Sequence, residues 1–301
     1  MVLNLVPHTP SPADDDTALT LRCWGTRGSI PSPGPHTARY GGNTTCLEIR
    51  HGGQRLIFDA GSGIRLLSRE MLSERGGPHR IFLTHFHWDH IQGFPFFAPL
   101  FTPEAELEIV APEQAGVDAR TLLAGQLGPI YFPVPFSAIG TRMSFRRPSD
   151  EAWQVGDITL RSMRVKHPSH AVGYRVDVGG RAICFIPDDE LEGVGYDVGE
   201  GWRERLVDFV RGADVLIHDS MYTDAEYPSR TGWGHSTFSE SLRLAEEGDV
   251  KQLLFFHHDP DRSDEELDEI VSRLRDEGMA RGCAVGMEAA AEGLVLRLEA
   301  R

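Results

Sequence analysis

His85-Phe86-His87-Trp88-Asp89-His90 follows directly on the apolar run Ile81-Phe82-Leu83-Thr84. Three imidazoles and a carboxylate thus fall within six positions at the end of a short buried strand. Imidazole and carboxylate are the usual ligands of zinc and similar divalent ions. His85 and His87 are two apart and can point the same way off an extended segment. Asp89 and His90 lie past a turn and face a neighbouring position. One ion cannot easily take all four, whereas two ions a few ångströms apart can share them.

Two ions need further ligands, and later strand ends offer them. His167 follows the strand expected over 158–165, Asp188 the one over 182–186, and His257 the one over 253–256. A carboxylate such as Asp188 can bridge two cations, one oxygen to each. His170 and His258 compete with His167 and His257 from the same loops. His218 reads as a strand end, and Asp219 as a supporting or structural residue.

The remaining pattern is that of a mixed α/β chain. Strands are expected at 19–24, 46–50, 55–58, 81–84, 107–111, 158–165, 174–178, 182–186, 215–218, 253–256 and 294–298. The Gly179-Gly180 pair reads as a two-residue hairpin turn. Ile64, Leu67, Met71 and Leu72 share a helical face that Gly76-Gly77 ends. A helix is expected near 203–210. Thr237 with Glu240, and Ser263 with Glu266, form capping boxes that open two more. The last of these is expected to end at Gly278. Residues 112–152, broken by Pro129, Pro133 and Pro135, read as an irregular insertion, either walling a pocket or packed on the core. Met1 to Asp16 carries three prolines and an acidic run, and residues 1–18 are expected to form a mobile leader before a domain over 19–301.

Composition narrows the functional classes. The chain has 301 residues, 25% charged and 40% hydrophobic, and a net charge of −15. Such a charge disfavours a protein that grips long nucleic acid by neutralising phosphates. No apolar run approaches the roughly 18 residues that span a bilayer, so no membrane partner is expected. Cys23, Cys46, Cys184 and Cys283 form no CxxC, which fits free thiols in a reducing cytoplasm.

The hexad resembles the HxHxDH signature of the metallo-β-lactamase superfamily. Phe58-Asp59-Ala60-Gly61 looks like its strand-end Asp-x-Gly element. His167 precedes Gly173-Tyr174-Arg175 as in the H-x5-GYR pattern of the ribonuclease Z-like branch. Gly234-His235-Ser236-Thr237 is similar to that branch's HST loop, and His257 follows at the matching distance. The resemblance implies a four-layer αββα sandwich and a dinuclear hydrolase, with zinc, manganese or iron(II) as the divalent ions. It implies that His85, His87 and His167 hold one ion and Asp89, His90 and His257 the other. Asp188 would bridge them opposite a water or hydroxide. Asp89 would help orient or deprotonate the nucleophile, His235 would donate a proton or contact the phosphate, and Asp59 would orient a ligand histidine. Related enzymes are often dimers.

Within the superfamily, His90 points away from antibiotic hydrolysis, because true β-lactamases usually lack that histidine. Ribonuclease Z carries a long arm between its GYR and HST regions, for which this chain has little room. Phe185 stands where the family has an acidic partner for the HST histidine, leaving Glu190 or Asp219 to serve. The expected substrate is therefore a small phosphodiester such as a cyclic nucleotide or cyclic phosphate. An RNA endonuclease, a thioesterase or carboxyl-ester hydrolase, and a nucleotide-binding sensor are the alternatives. Arg27, Arg39, Arg142, Arg146 and Arg147 are weighed as phosphate contacts, and Trp88 or Phe94 as a platform for a base.

Overall fold

The structure is a computed structural model that describes residues 17–71 and 78–301. Residues 1–16 of the expected leader, and Leu72 with Gly76-Gly77, lie outside the described residues. The first half of the chain forms β1 (Leu19–Gly25), β2 (Cys46–His51), β3 (Gln54–Phe58), α1 (Ile64–Met71), β4 (Pro78–Phe82), α2 (Trp88–Ile91), β5 (Glu106–Val110), α3 (Ala119–Gln126) and β6 (Arg142–Arg146). The second half forms β7 (Trp153–Val155), β8 (Ile158–Arg164), β9 (Val172–Val178), β10 (Arg181–Ile186), α4 (Trp202–Val210), β11 (Val215–Asp219), α5 (Phe238–Glu247), β12 (Gln252–Phe256), α6 (Asp264–Ala280), β13 (Gly286–Ala289) and β14 (Val295–Leu298).

The strands make two seven-stranded sheets, ordered β14-β1-β2-β3-β4-β5-β6 and β13-β12-β11-β10-β9-β8-β7. Each sheet is antiparallel in one half and parallel in the other, with β3 to β6 and β10 to β13 as the parallel runs. Side-chain alternation builds the layers. Leu56 and Phe58 of β3 face the second sheet, while Ile57 faces α1. Ile183 and Phe185 of β10 face the first sheet, while Ala182, Cys184 and Ile186 face α4 to α6. Both faces of each sheet are covered, which explains the near-continuous apolar strands. The result is the four-layer αββα sandwich.

Between the sheets, Phe58 contacts Phe82, Tyr174 and Phe185 at ring-centroid distances of 5.1, 5.5 and 5.8 Å. The Tyr174 hydroxyl donates to the Leu83 carbonyl at 2.8 Å. That bond ties the second sheet to the segment leading into the hexad.

Several expectations need correction. The stretch 112–152 is not irregular throughout: it contains α3, with Asp118 capping at Thr121 N–H, and β6, which pairs in parallel with β5. Its prolines fall between those two elements, so each element is too short to show a period. Gly278 does not end α6, which runs on to Ala280. It is buried against β13, where a Cβ would stand 2.8 Å from Met287 Cε. Strands β6, β7 and β13 were not expected. Both capping boxes form as read.

Phe58→Ala removes the ring on which the inter-sheet aromatic cluster closes. It should cost about 3–5 kcal/mol, read as a lower urea midpoint at unchanged slope. A loss under about 1 kcal/mol would contradict this packing.

Candidate metal centre

The parallel strands of both sheets deliver their ends to one edge, the usual place for sites in open α/β sheets. Asp59 follows β3, the hexad follows β4, Asp188 follows β10, Asp219 ends β11 and His257 follows β12. Asp59 and His257 sit at φ +59° and +58°. Non-glycine residues seldom adopt that region, and such strain persists where surroundings enforce it.

Two groups of candidate ligands form. Ligand atoms of His85, His87, His167 and Asp188 lie within 4.8 Å of one another, and so do those of Asp89, His90 and His257. Asp188 lies between the groups, with Oδ2 3.7 Å from His85 Nε2 and Oδ1 3.0 Å from His90 Nε2. His87 Nδ1 and His167 Nε2 are 3.1 Å apart. Two imidazole nitrogens on one tetrahedral zinc lie about 3.3 Å apart, given bonds of about 2.0–2.1 Å. His235 joins Asp188 and His257 in a third grouping.

The imidazoles are aimed by their other nitrogens. His90 Nδ1 contacts Asp59 Oδ2 at 2.8 Å, and His85 Nδ1 contacts Thr84 Oγ1 at 3.1 Å. Thr84 in turn donates its N–H and hydroxyl to Asp59 at 2.7 and 2.8 Å. His167 Nδ1 faces the Gly234 carbonyl at 3.0 Å. Each contact suits an Nδ1–H tautomer, which leaves an Nε2 lone pair facing the cleft. Gly234 must be glycine: its φ is +93°, and a Cβ there would stand 2.2 Å from His167 Nδ1.

The donor set fits divalent cations. His85 Nε2, His90 Nε2 and Asp188 Oδ1 are buried without a hydrogen-bond partner among the described residues. Orphaned buried polar atoms are costly, and these three converge on one space. Burial pushes His167 down to about 3 and His85 well below the usual imidazole value, so both are neutral at pH 7 and free to act as ligands. Burial opposes charge on His90, but Asp188, Asp89 and Asp59 outweigh it and pull this imidazole well up. That surplus of carboxylate is what a dication neutralises.

Two further residues matter. Asp89 Oδ2 accepts the Ser29 backbone N–H at 2.8 Å and meets His257 Nε2 at 2.9 Å. His235 Nδ1 pairs with Asp219 Oδ2 at 2.8 Å. Asp219 thus supplies the acidic partner that the Phe185 position lacks, while Phe185 packs into the inter-sheet core against Phe58 and Phe256. Burial would lower His235, but Asp219, with Asp188 and Asp89, raises it to about 9.

The structure also separates the rivals. His170 is exposed and outside the cluster, and His258 points to the Ala290 carbonyl at 2.8 Å. His218 bonds to Ser241 behind the site. The weighed arginines are engaged elsewhere. Arg27 is buried against the carbonyls of Gly41, Asp259 and Arg262, Arg39 pairs with Asp268, Arg142 with Glu106 and Arg147 with Glu113, and Arg146 lies over Trp153. Phe94 is core, whereas Trp88 is exposed. The Ser29 N–H was not foreseen, since a backbone donor carries no residue-type signal.

A two-sheet sandwich with such a cleft defines a class of metal-site proteins. Residues 54–258 match the family model described as the beta-lactamase superfamily domain. Ribonuclease Z of Natronomonas pharaonis is 24% identical over 287 residues, covering 80% of this chain and 87% of that protein. The fold is similar to YhfI from Bacillus subtilis, with TM-score 0.66, 19% identity and coverage of 93% and 99%. It is also similar to the short form of human tRNase Z, with TM-score 0.63, 20% identity and coverage of 92% and 98%. The chain belongs to the metallo-β-lactamase superfamily, in its ribonuclease Z-like branch.

Asp59→Asn keeps the size of this side chain but removes an acceptor from His90 and Thr84. Metal affinity, measured by competition with a chromogenic chelator, should fall about ten- to hundredfold. Unchanged affinity would show that Asp59 does not orient the site.

Proposed function

We propose that this protein is a dinuclear metal-dependent phosphodiesterase acting on a small phosphodiester. The convergence of two ligand groups on the buried Asp188 carboxylate carries the reading. His85, His87 and His167 would hold one ion, Asp89, His90 and His257 the other, and Asp188 both. Zinc suits this donor set, and manganese or iron(II) also accepts it. When bound, such ions supply Lewis-acid activation of water and neutralise charge on a phosphoryl group.

The chain's own residues supply positioning and protons. Ser29 N–H fixes one Asp89 oxygen, so the carboxylate is held in one orientation for guiding an attacking water. His235 is anchored through Nδ1 on Asp219, which leaves its other nitrogen for a proton to the leaving alkoxide. Thr237, two residues on, caps α5 with Glu240 and fixes the backbone that presents His235.

The stretch 112–152 reaches loops that carry site residues. Gln126 donates to the Ile91 carbonyl, Gln114 to the His170 carbonyl, and Phe132 packs on Phe96. This supports reading it as a wall of the cleft, within one hydrolase domain over 19–301. Three of the four free cysteines are buried, and none of the described helices is long and apolar enough to cross a membrane. Both fit the cytoplasmic reading.

An RNA substrate is the second reading, favoured by the ribonuclease Z relatives that match over most of their length. Against it stand the net charge of −15 and the chain between Arg175 and His235, which holds β10, α4, β11 and their loops without an extended arm.

His85→Ala and Asp188→Ala should each abolish hydrolysis of cyclic and linear phosphodiesters while circular dichroism stays native. Chelator treatment should do the same reversibly. Full activity in either metal-stripped variant would overturn the proposal, and turnover of thioesters alone would reassign the substrate.

A further inference from the structure

Of the five tryptophans, Trp24, Trp153 and Trp202 are 5–8% exposed. Trp88 and Trp233 are 62% and 57% exposed. A single exposed apolar side chain is ordinary, but these two indoles fall on segments of one candidate site. Both flank the candidate metal centre. Trp88 stands between His87 and Asp89, and Trp233 adjoins Gly234. The Gly234 carbonyl is 3.0 Å from His167 Nδ1, and His167 Nε2 is 3.1 Å from His87 Nδ1. The two tryptophans therefore sit on segments that His167 links, one through His87 and the other through the Gly234 carbonyl.

Both are rigidly presented. The amides on either side of Trp233, Gly232 N–H and Gly234 N–H, donate to Glu190 Oε1 and Oε2 at 2.7 and 2.9 Å. Glu190 is fully buried and also takes the Tyr227 and Tyr196 hydroxyls. Such a carboxylate with four donors holds its loop firmly. The Arg230 guanidinium lies 4.9 Å from the Trp233 ring centroid and occupies one face. Trp88 opens α2, where its carbonyl accepts Gln92 N–H at 2.7 Å.

We propose that Trp88 and Trp233 form an aromatic subsite for the base of a nucleoside phosphodiester. This rests on the phosphodiesterase reading and names its substrate class. Two exposed indoles on the segments that carry His87 and Gly234 suit a planar ring better than the broad surface of a protein partner, about 800 Å² a side. The chain carries a net charge of −15, so long-range electrostatics do not draw in an anionic ester. Stacking supplies uncharged affinity, and it is tolerant of which base is offered.

The test uses the metal-loaded full chain with 2′,3′-cyclic AMP and with methyl riboside 2,3-cyclic phosphate, the same ester without a base. The unmodified protein should prefer the nucleotide by about tenfold or more in kcat/KM. Trp88→Ala and Trp233→Ala should each reduce that preference about fivefold or more, through KM, and Trp→Phe should retain most of it. 2′,3′-cyclic AMP should quench tryptophan fluorescence saturably, and the double alanine variant should lose the quench. Equal turnover of the two esters, or an equal loss on both in the variants, overturns the subsite. If neither ester is hydrolysed, the phosphodiesterase reading fails on these substrates and the titration decides. A quench confined to these two indoles, by 2′,3′-cyclic AMP or by a triadenylate RNA, then upholds the subsite, and no such quench by either overturns it. A triadenylate RNA tested alongside identifies the source of the base. Tryptophan-dependent binding of either ligand upholds the subsite.

Discussion

The Asp59 carboxylate is the interaction from which the hexad hangs. It takes the Thr84 N–H, the Thr84 hydroxyl and His90 Nδ1, all within 2.8 Å. One buried side chain thereby fixes where the chain leaves β4, which rotamer Thr84 adopts, and which nitrogen of His90 faces the cleft. Through Thr84 Oγ1 it reaches His85 as well. Its backbone at φ +59° is the strained turn that brings the carboxylate back over the neighbouring strand. Such strain costs on the order of 1–3 kcal/mol, and the three hydrogen bonds to a buried anion offset it.

The second sheet uses the same device with different residues. Asp188 follows β10, and Asp219 ends the adjacent parallel strand β11, in a register that pairs Ile186 with His218. Neighbouring strand ends therefore place one carboxylate in the cleft and the next behind His235. Asp219 Oδ2 also accepts the Asp189 N–H at 3.1 Å, and Asp189 accepts the Lys166 N–H just before His167. The turns carrying Asp188, His167 and His235 are thus braced against one another and cannot shift independently.

Much of this was legible in the sequence because its signals are local. The HxHxDH spacing, the two capping boxes and the glycine pair between β9 and β10 each declare themselves within a few residues. His167 and His257 were distinguishable from His170 and His258 only by family spacing. What separates them physically is tertiary: the Gly234 carbonyl takes His167, and the Ala290 carbonyl takes His258 away. Strands β6, β7 and β13 escaped because they are three to five residues long and close the sheet edges, where periodicity has no room to repeat. Asp219 could be named only as one of two candidates, since its pairing with His235 depends on strand order. The close approach of Gly28, where a Cβ would stand 2.5 Å from His257 Nδ1, leaves no mark in sequence beyond a glycine in a glycine-rich loop.

Charge balance explains why such a site would serve an acidic protein. Asp59, Asp89, Asp188 and Asp219 are all buried here, among imidazoles that act as neutral ligands when they bind metal. The proposed pair of dications would offset these carboxylates, with Asp219 already paired to His235. The ions would thus convert a strongly anionic cleft into a nearly neutral one, without making it strongly attractive to phosphate at a distance. Affinity for an anionic ester must then arise at short range, from open coordination positions and from contacts that carry no charge. The weighed arginines are tied to protein partners, which is why the proposed base subsite rests on uncharged indoles.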